Sequence, residues 1–137
     1  MSIRVTHMFA APPVRVFDAW LDPQSSGKWL FATPTGQMTR CEIDPRPGGK
    51  FVLVDRRDGE DVEHVGEYLE IDRPKRLVFS FAVPKYSPLH TQVTVGIVPL
   101  GDGSELTLTH DGVPEEWVAR TEEGWKMILA ALERTLG

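Results

Sequence analysis

The sequence predicts an α+β domain in which an antiparallel sheet packs against two short helices and one long one. Three observations predict it. IRVTHMFA (residues 3–10) sets Ile3, Val5, His7 and Phe9 against Arg4, Thr6 and Met8, the period-2 pattern of a strand. Six further strand-like stretches follow, separated by turn signals such as PRPGG, RDGE, RPK and GDG, and that spacing suits an antiparallel meander. Between the first strand and the other six, and again at the C-terminus, the apolar period becomes helical. Helices gathered on one side of an antiparallel sheet make an α+β architecture, and a curved sheet around one long helix encloses a concave space.

The elements follow in order. In APPVRVFDAWLD, Pro12 or Pro13 suits a first helical turn, and Val14, Phe17, Trp20 and Leu21 form an apolar stripe. Pro23 ends that helix. PQSSGKWLF (residues 23–31) reads as a second, shorter helix weakened by Gly27. Then come MTRCEID, KFVLVDR, EHVGEYLEID, RLVFSFAV, TQVTVGIVPL and SELTLTHDG. Asp58-Gly59 is a strong hairpin signal. Pro114 is placed to start the last helix, with Glu115 and Glu116 at its positive end. Trp117, Thr121, Gly124, Trp125, Ile128, Leu132 and Leu136 share one face of what reads as about six turns. A glycine on that face, Gly124, either lets the helix approach the sheet closely or leaves room for something else.

Composition narrows the function. The 137 residues fit one domain, 1–137, with 41% hydrophobic and 26% charged residues. A net charge of −5, with scattered Lys and Arg, argues against nucleic-acid binding. The single cysteine, Cys41, excludes an intramolecular disulfide. The N-terminus does not read as a signal peptide, and no apolar run approaches the roughly 18 residues of a membrane span. A cytoplasmic protein, monomer or homodimer, without a membrane or nucleic-acid partner is expected.

Motifs along nearly the whole chain resemble one family. APPVRVFDAWLDPQSSGKWL is similar to the opening A-P-x-x-x-V-F-x-A-W-x-D-P of START-like (SRPBCC) domains, and PRPGGKFVL, GEYLEIDRPKRLVFSF, GSELTLTHDGVP and EEGWKMILAALERTL continue the likeness in order. The branch it resembles is named for the activator of the ninety-kilodalton heat-shock protein's ATPase, in its single-domain bacterial form. The resemblance implies a helix-grip fold: a seven-stranded antiparallel curved sheet around a long C-terminal helix, with two short helices after strand 1. It also implies a mostly apolar cavity between helix and sheet. Members of the wider superfamily bind lipids, hormones and polyketides, and a few are cyclases or dehydratases.

The candidate residues are weighed on strand and helix parity. His110 and Asp111 look like a dyad, but successive strand side chains point to opposite faces. His110 shares a face with Leu106 and Leu108, which places it inward near the cavity mouth, as a cap on the core in preference to a base. His64 shares parity with Val62, Gly66 and Tyr68. Its ring is expected at an edge with its tip in water; on a concave face it would line the cavity with Tyr68 and orient a ligand. Gly66 marks a bend or a close backbone approach. No two histidines have a local ligand spacing, so no metal site or cofactor is expected, and Cys41, beside Thr39 and Ile43, reads as an inert core residue. Neither SSG nor PGGK matches a nucleophile elbow or a phosphate loop. Arg40 and Glu42 share one face, read as solvated. Among the aromatics, most are expected in the core and some along the cavity; Trp29 and Phe31 are placed to form a lid, and Trp117 and Trp125, about two helical turns apart, to face the sheet. The cavity candidates are therefore Trp29, Phe31, His64, Tyr68, Phe79, Phe81, His110, Trp117, Gly124, Trp125 and Ile128.

The expected function is binding of a hydrophobic or amphipathic small molecule. A co-chaperone-like module acting on a heat-shock protein ATPase, and a cyclase- or dehydratase-type enzyme using His64, Tyr68 or His110, are the alternatives.

Overall fold

The structure, a computed structural model, describes residues 2–30, 36–86 and 89–136. Strand β1 (Ile3–Phe9) leads into helices α1 (Pro13–Leu21) and α2 (Pro23–Trp29). Six strands follow: β2 (Gln37–Ile43), β3 (Lys50–Arg57), β4 (Glu60–Asp72), β5 (Arg76–Phe81), β6 (Thr91–Leu100) and β7 (Gly103–Asp111). A 3-10 turn (Glu115–Trp117) then precedes helix α3 (Val118–Leu136). The strands form a curved seven-stranded antiparallel sheet in the order β1-β7-β6-β5-β4-β3-β2. The architecture is the helix-grip α+β arrangement expected. The meander runs from β2 to β7, and β1 returns to pair with β7 in register from Ile3 opposite His110 to Phe9 opposite Ser104.

Alternation works in β1 as the pleat demands: Ile3, Val5 and Phe9 are buried, and Arg4, Thr6 and Met8 are exposed. His7 breaks the apolar face and meets Glu133 of α3 at 2.6 Å, tying the first strand to the last helix. In α1 the buried residues are Val16, Phe17, Ala19 and Trp20, whereas Val14 is exposed and Leu21 half-buried. The stripe lies to one side of the expected one because Val16 and Ala19 complete it; counting only the larger residues shifts the face. Asp22 caps α2 by accepting from the Gln24 amide at 3.0 Å, with Pro23 in the first turn. The helix ends at Trp29.

The last helix departs from expectation in its start. Residues 115–117 turn with 3-10 geometry, and the α-helix begins at Val118 and runs for 19 residues. A 3-10 turn winds at about three residues per turn, so Trp117 falls out of phase with the residues beyond it. It is 37% exposed. The face of α3 that is fully buried carries Trp125, Leu129 and Leu132; Leu129 was absent from the expected stripe, and Thr121, Gly124, Ile128 and Leu136 flank it half-buried.

Gly66 is the close approach that β4 needs. A Cβ there would lie 1.9 Å from the Ser80 carbonyl oxygen on β5 and 2.6 Å from the Phe51 ring on β3. The β4–β5 register shifts further along the strand, between Tyr68 and Glu70.

Candidate functional site

One end of the space between α3 and the sheet is filled. Trp20 and Trp29 meet edge to face at 4.8 Å, Phe51 and Phe79 likewise at 5.4 Å, and Tyr68 packs on Phe51 at 5.5 Å. Trp125 marks the division. Its ring lies 6.3 Å from Trp20 on the filled side and 6.4 Å from Phe81 on the other.

Beyond Trp125 is a cavity of about 550 Å³. Helix α3 supplies Arg120, Thr121, Gly124, Trp125, Met127 and Ile128 to its wall. Each of five consecutive strands supplies one residue: Arg57, His64, Phe81, Thr91 and His110. Ala82, Val83, Tyr86 and Leu89 form the rim together with Val113, Pro114 and Trp117. Tyr86 and Leu89 are exposed, so the cavity opens to solvent there. A Cβ built on Gly124 would meet nothing within 4 Å. Of the two readings of that glycine, the roomy one is therefore what the fold contains.

Two histidines sit in this wall, and both are buried, 2% exposed for His110 and 5% for His64. The Trp125 indole N–H donates to His110 Nδ1 at 3.0 Å. An indole can only donate, so Nδ1 carries the lone pair and Nε2 the proton, directed at the Thr91 hydroxyl 2.6 Å away. Thr91 in turn donates to the Phe81 carbonyl at 3.2 Å. Burial holds the His110 pKa down to about 4, with Asp111 pulling slightly upward. Asp111 itself meets the Ser2 hydroxyl instead of His110, as strand alternation requires.

His64 has the opposite tautomer. Its Nδ1 lies 3.3 Å from the Leu53 carbonyl, which only accepts, and its Nε2 lies 3.4 Å from Arg57 Nη2, which only donates. Burial, and then the Arg57 charge, lower its pKa to about 4. Behind it Arg57 Nε donates to Asp55 Oδ2 at 2.8 Å, and the Asp55 side chain is 0% exposed. Phe81 lies between the two imidazoles, stacked on His64 at 6.1 Å and edge-on to His110 at 5.6 Å.

Seven of the sequence candidates meet in this wall: His64, Phe81, His110, Trp117, Gly124, Trp125 and Ile128. Trp29, Tyr68 and Phe79 do not. They lie in the filled core, where burial pushes the Tyr68 phenol well above its usual range. Trp29 is a core residue and not a lid, because α2 turns it under Trp20. Phe31 lies outside the described residues. His64 is buried, in place of the expected edge position, with the Leu53 carbonyl at Nδ1, Arg57 at Nε2 and Phe81 stacked on its ring. Cys41 is half-buried, with Sγ 3.5 Å from the Pro23 carbonyl and its thiol pKa raised by burial. Arg40 and Glu42 pair at 2.6 Å on an exposed surface. The residues missed are Asp55, Arg57, Thr91 and Arg120. For the first two a signal existed: they share parity with Phe51 and Leu53, and an acid on an apolar strand face needs a partner.

Residues 10–137 match the family described as activator of Hsp90 ATPase homolog 1-like protein. The chain belongs to that family. Solved structures align over nearly the whole of this family member. A protein from Chromobacterium violaceum is 27% identical with a TM-score of 0.91, covering 98% of this chain and 96% of that one. A second, from Nitrosomonas europaea, is 24% identical with a TM-score of 0.84 over 99% and 94%. CalU16 from Micromonospora echinospora is 25% identical with a TM-score of 0.75 over 99% and 76%. No curated protein matches. Among the described residues no helix is long and apolar enough to cross a membrane, and no three His, Cys, Asp or Glu side chains converge as metal ligands.

In this activator-homologue chain the cavity wall combines apolar side chains with His64, His110, Thr91 and two arginines. Both nitrogens of His110 are engaged within the protein, so using it as a base would break the bond to Trp125 or Thr91.

Proposed function

We propose that the chain binds a small apolar or amphipathic molecule between α3 and the sheet. The observation that carries this reading is the space beside Gly124. The cavity of about 550 Å³ falls within the roughly 300–1,000 Å³ of small-molecule sites, and its helical wall presents a residue with no side chain. Aromatic and aliphatic walls with a few oriented polar groups are the usual make-up of such sites. Native mass spectrometry of freshly purified protein, with Nile red uptake as a neutral probe, tests the reading. A small-molecule adduct or dye binding that Gly124→Phe abolishes is expected. Bare protein that takes up no dye would sink it.

A second reading rests on the description of the matching family, activator of Hsp90 ATPase. Under it the chain would contact that ATPase through its surface. An unchanged ATPase rate at saturating protein excludes it.

A further inference from the structure

We infer that the ligand of this cavity is an amphipathic anion, its carboxylate-like head held at the mouth by Arg120 and its apolar body lying between Gly124 and Phe81. The inference rests on the small-molecule reading above and deepens it. The chain carries 20 acidic and 15 basic residues. Yet two arginines and not one Asp or Glu are among the residues that line the cavity.

The two arginines differ. Arg57 is offset by Asp55 at 2.8 Å, so its field is largely cancelled. Arg120 forms no ion pair among the described residues; its guanidinium lies 5.2 Å from the centroid of the Trp117 ring. A cation over an aromatic face is attracted without being neutralised. Stacking also leaves the edge of the planar fork available, and that edge takes a carboxylate through two parallel hydrogen bonds. Arg120 sits in the first turn of α3, which contains no acid, where the helix dipole adds positive potential. Glu115 and Glu116, in the preceding 3-10 turn, are exposed and not among the lining residues. An anion repelled by most of this acidic protein therefore meets a cationic mouth above an apolar interior.

Calorimetry with three probes of matched chain tests this: dodecanoate, dodecanol and dodecyltrimethylammonium, each kept below its micelle concentration. Dodecanoate should bind about tenfold or more tighter than dodecanol, the scale of one charge-assisted contact, and the ammonium probe weakest. Arg120→Gln, at an exposed position, should level dodecanoate with dodecanol; Arg120→Lys should restore part of the preference. Equal affinity for acid and alcohol, or a preference that survives Arg120→Gln, overturns the anionic head and leaves the apolar site standing. Uptake of none of the three overturns both readings.

Discussion

Trp125 of α3 and His110 of β7 are joined by a hydrogen bond from the indole N–H to Nδ1, 3.0 Å long and fully buried. It links the gripping helix to the sheet at the one point where the filled core gives way to the cavity. It also assigns the proton on the imidazole to Nε2, because the indole has no acceptor to offer.

That assignment leads to the first prediction. Nitrogen-detected NMR at neutral pH should show His110 as the Nε2–H tautomer and His64 as the Nδ1–H tautomer. Trp125→Phe leaves Nδ1 of His110 without its donor and shrinks a core residue, so stability should fall by about 2–4 kcal/mol. The indole donor favours the neutral ring, so its loss should move the His110 titration upward from about 4, while burial continues to hold it below the ordinary value. A His110 titration unchanged in the variant would show that burial alone sets it and the indole hydrogen bond adds nothing.

Acid sensitivity follows from both histidines. Each has a folded pKa near 4 against an ordinary value of 6.5, lowered first by burial. The fold therefore prefers the neutral ring, and the unfolded chain binds more protons between those two values. Stability is fully present above 6.5, falls as pH drops toward 4, and levels off below. The loss is of order 3 kcal/mol per histidine. Asp18, lowered by its hydrogen bond from Arg73, and Asp61, lowered by that from Arg56, lose their contribution only as pH nears 3.8 and below, so they touch the acid end of that window alone. Urea midpoints measured across the window test this; a flat profile from neutral pH down to about pH 4.5 contradicts it.

The legible parts of the molecule are those where one local rule decides. Alternation placed Ile3, Val5 and Phe9 inward and separated His110 from Asp111, and the reading of Gly66 as a bend or close approach agrees with the Ser80 carbonyl, which would lie 1.9 Å from a Cβ at that position. The illegible parts depend on how elements meet. Trp117 lies in a 3-10 turn whose winding breaks the helical phase, so a face counted at 3.6 residues per turn misplaces it. Trp29 goes to the core because α2 packs beneath Trp20, which nothing in the local spacing around Trp29 announces. Arg120 gains its place from Trp117 and from the cavity mouth, neither visible along the chain.

The buried ion pair gives the next prediction. Asp55 is fully buried while Arg57 is 31% exposed and reaches the cavity. Asp55→Ala strands a guanidinium beside neutral His64 and should cost about 3 kcal/mol or more, the usual penalty for breaking a buried pair. Arg57→Ala strands the more deeply buried charge and should cost at least as much. Asp55→Leu with Arg57→Met removes both charges and should recover most of the loss, since apolar replacement of such pairs is often neutral. A double variant no more stable than either single one, by denaturant titration, would show that the pair contributes more than mutual neutralisation.

Two glycines should respond in opposite directions to the same substitution. Gly124 lies inside α3, and an added Cβ meets nothing within 4 Å. Gly124→Ala removes the conformational freedom that glycine brings to a helix and should stabilise by up to about 1 kcal/mol, at the expense of one methyl group of cavity volume. Gly66 lies where β4 crosses close to β5, and the same Cβ would sit 1.9 Å from the Ser80 carbonyl oxygen, a backbone atom that cannot rotate away. Gly66→Ala must push strands apart or break the Val65–Ala82 bridge beside it, and should cost about 3 kcal/mol or more. Thermal melts of the two variants side by side check the pair. A stabilised Gly66→Ala would mean that β4 can move off β5 freely; a destabilised Gly124→Ala would mean that the space beside α3 is needed to hold the helix in place.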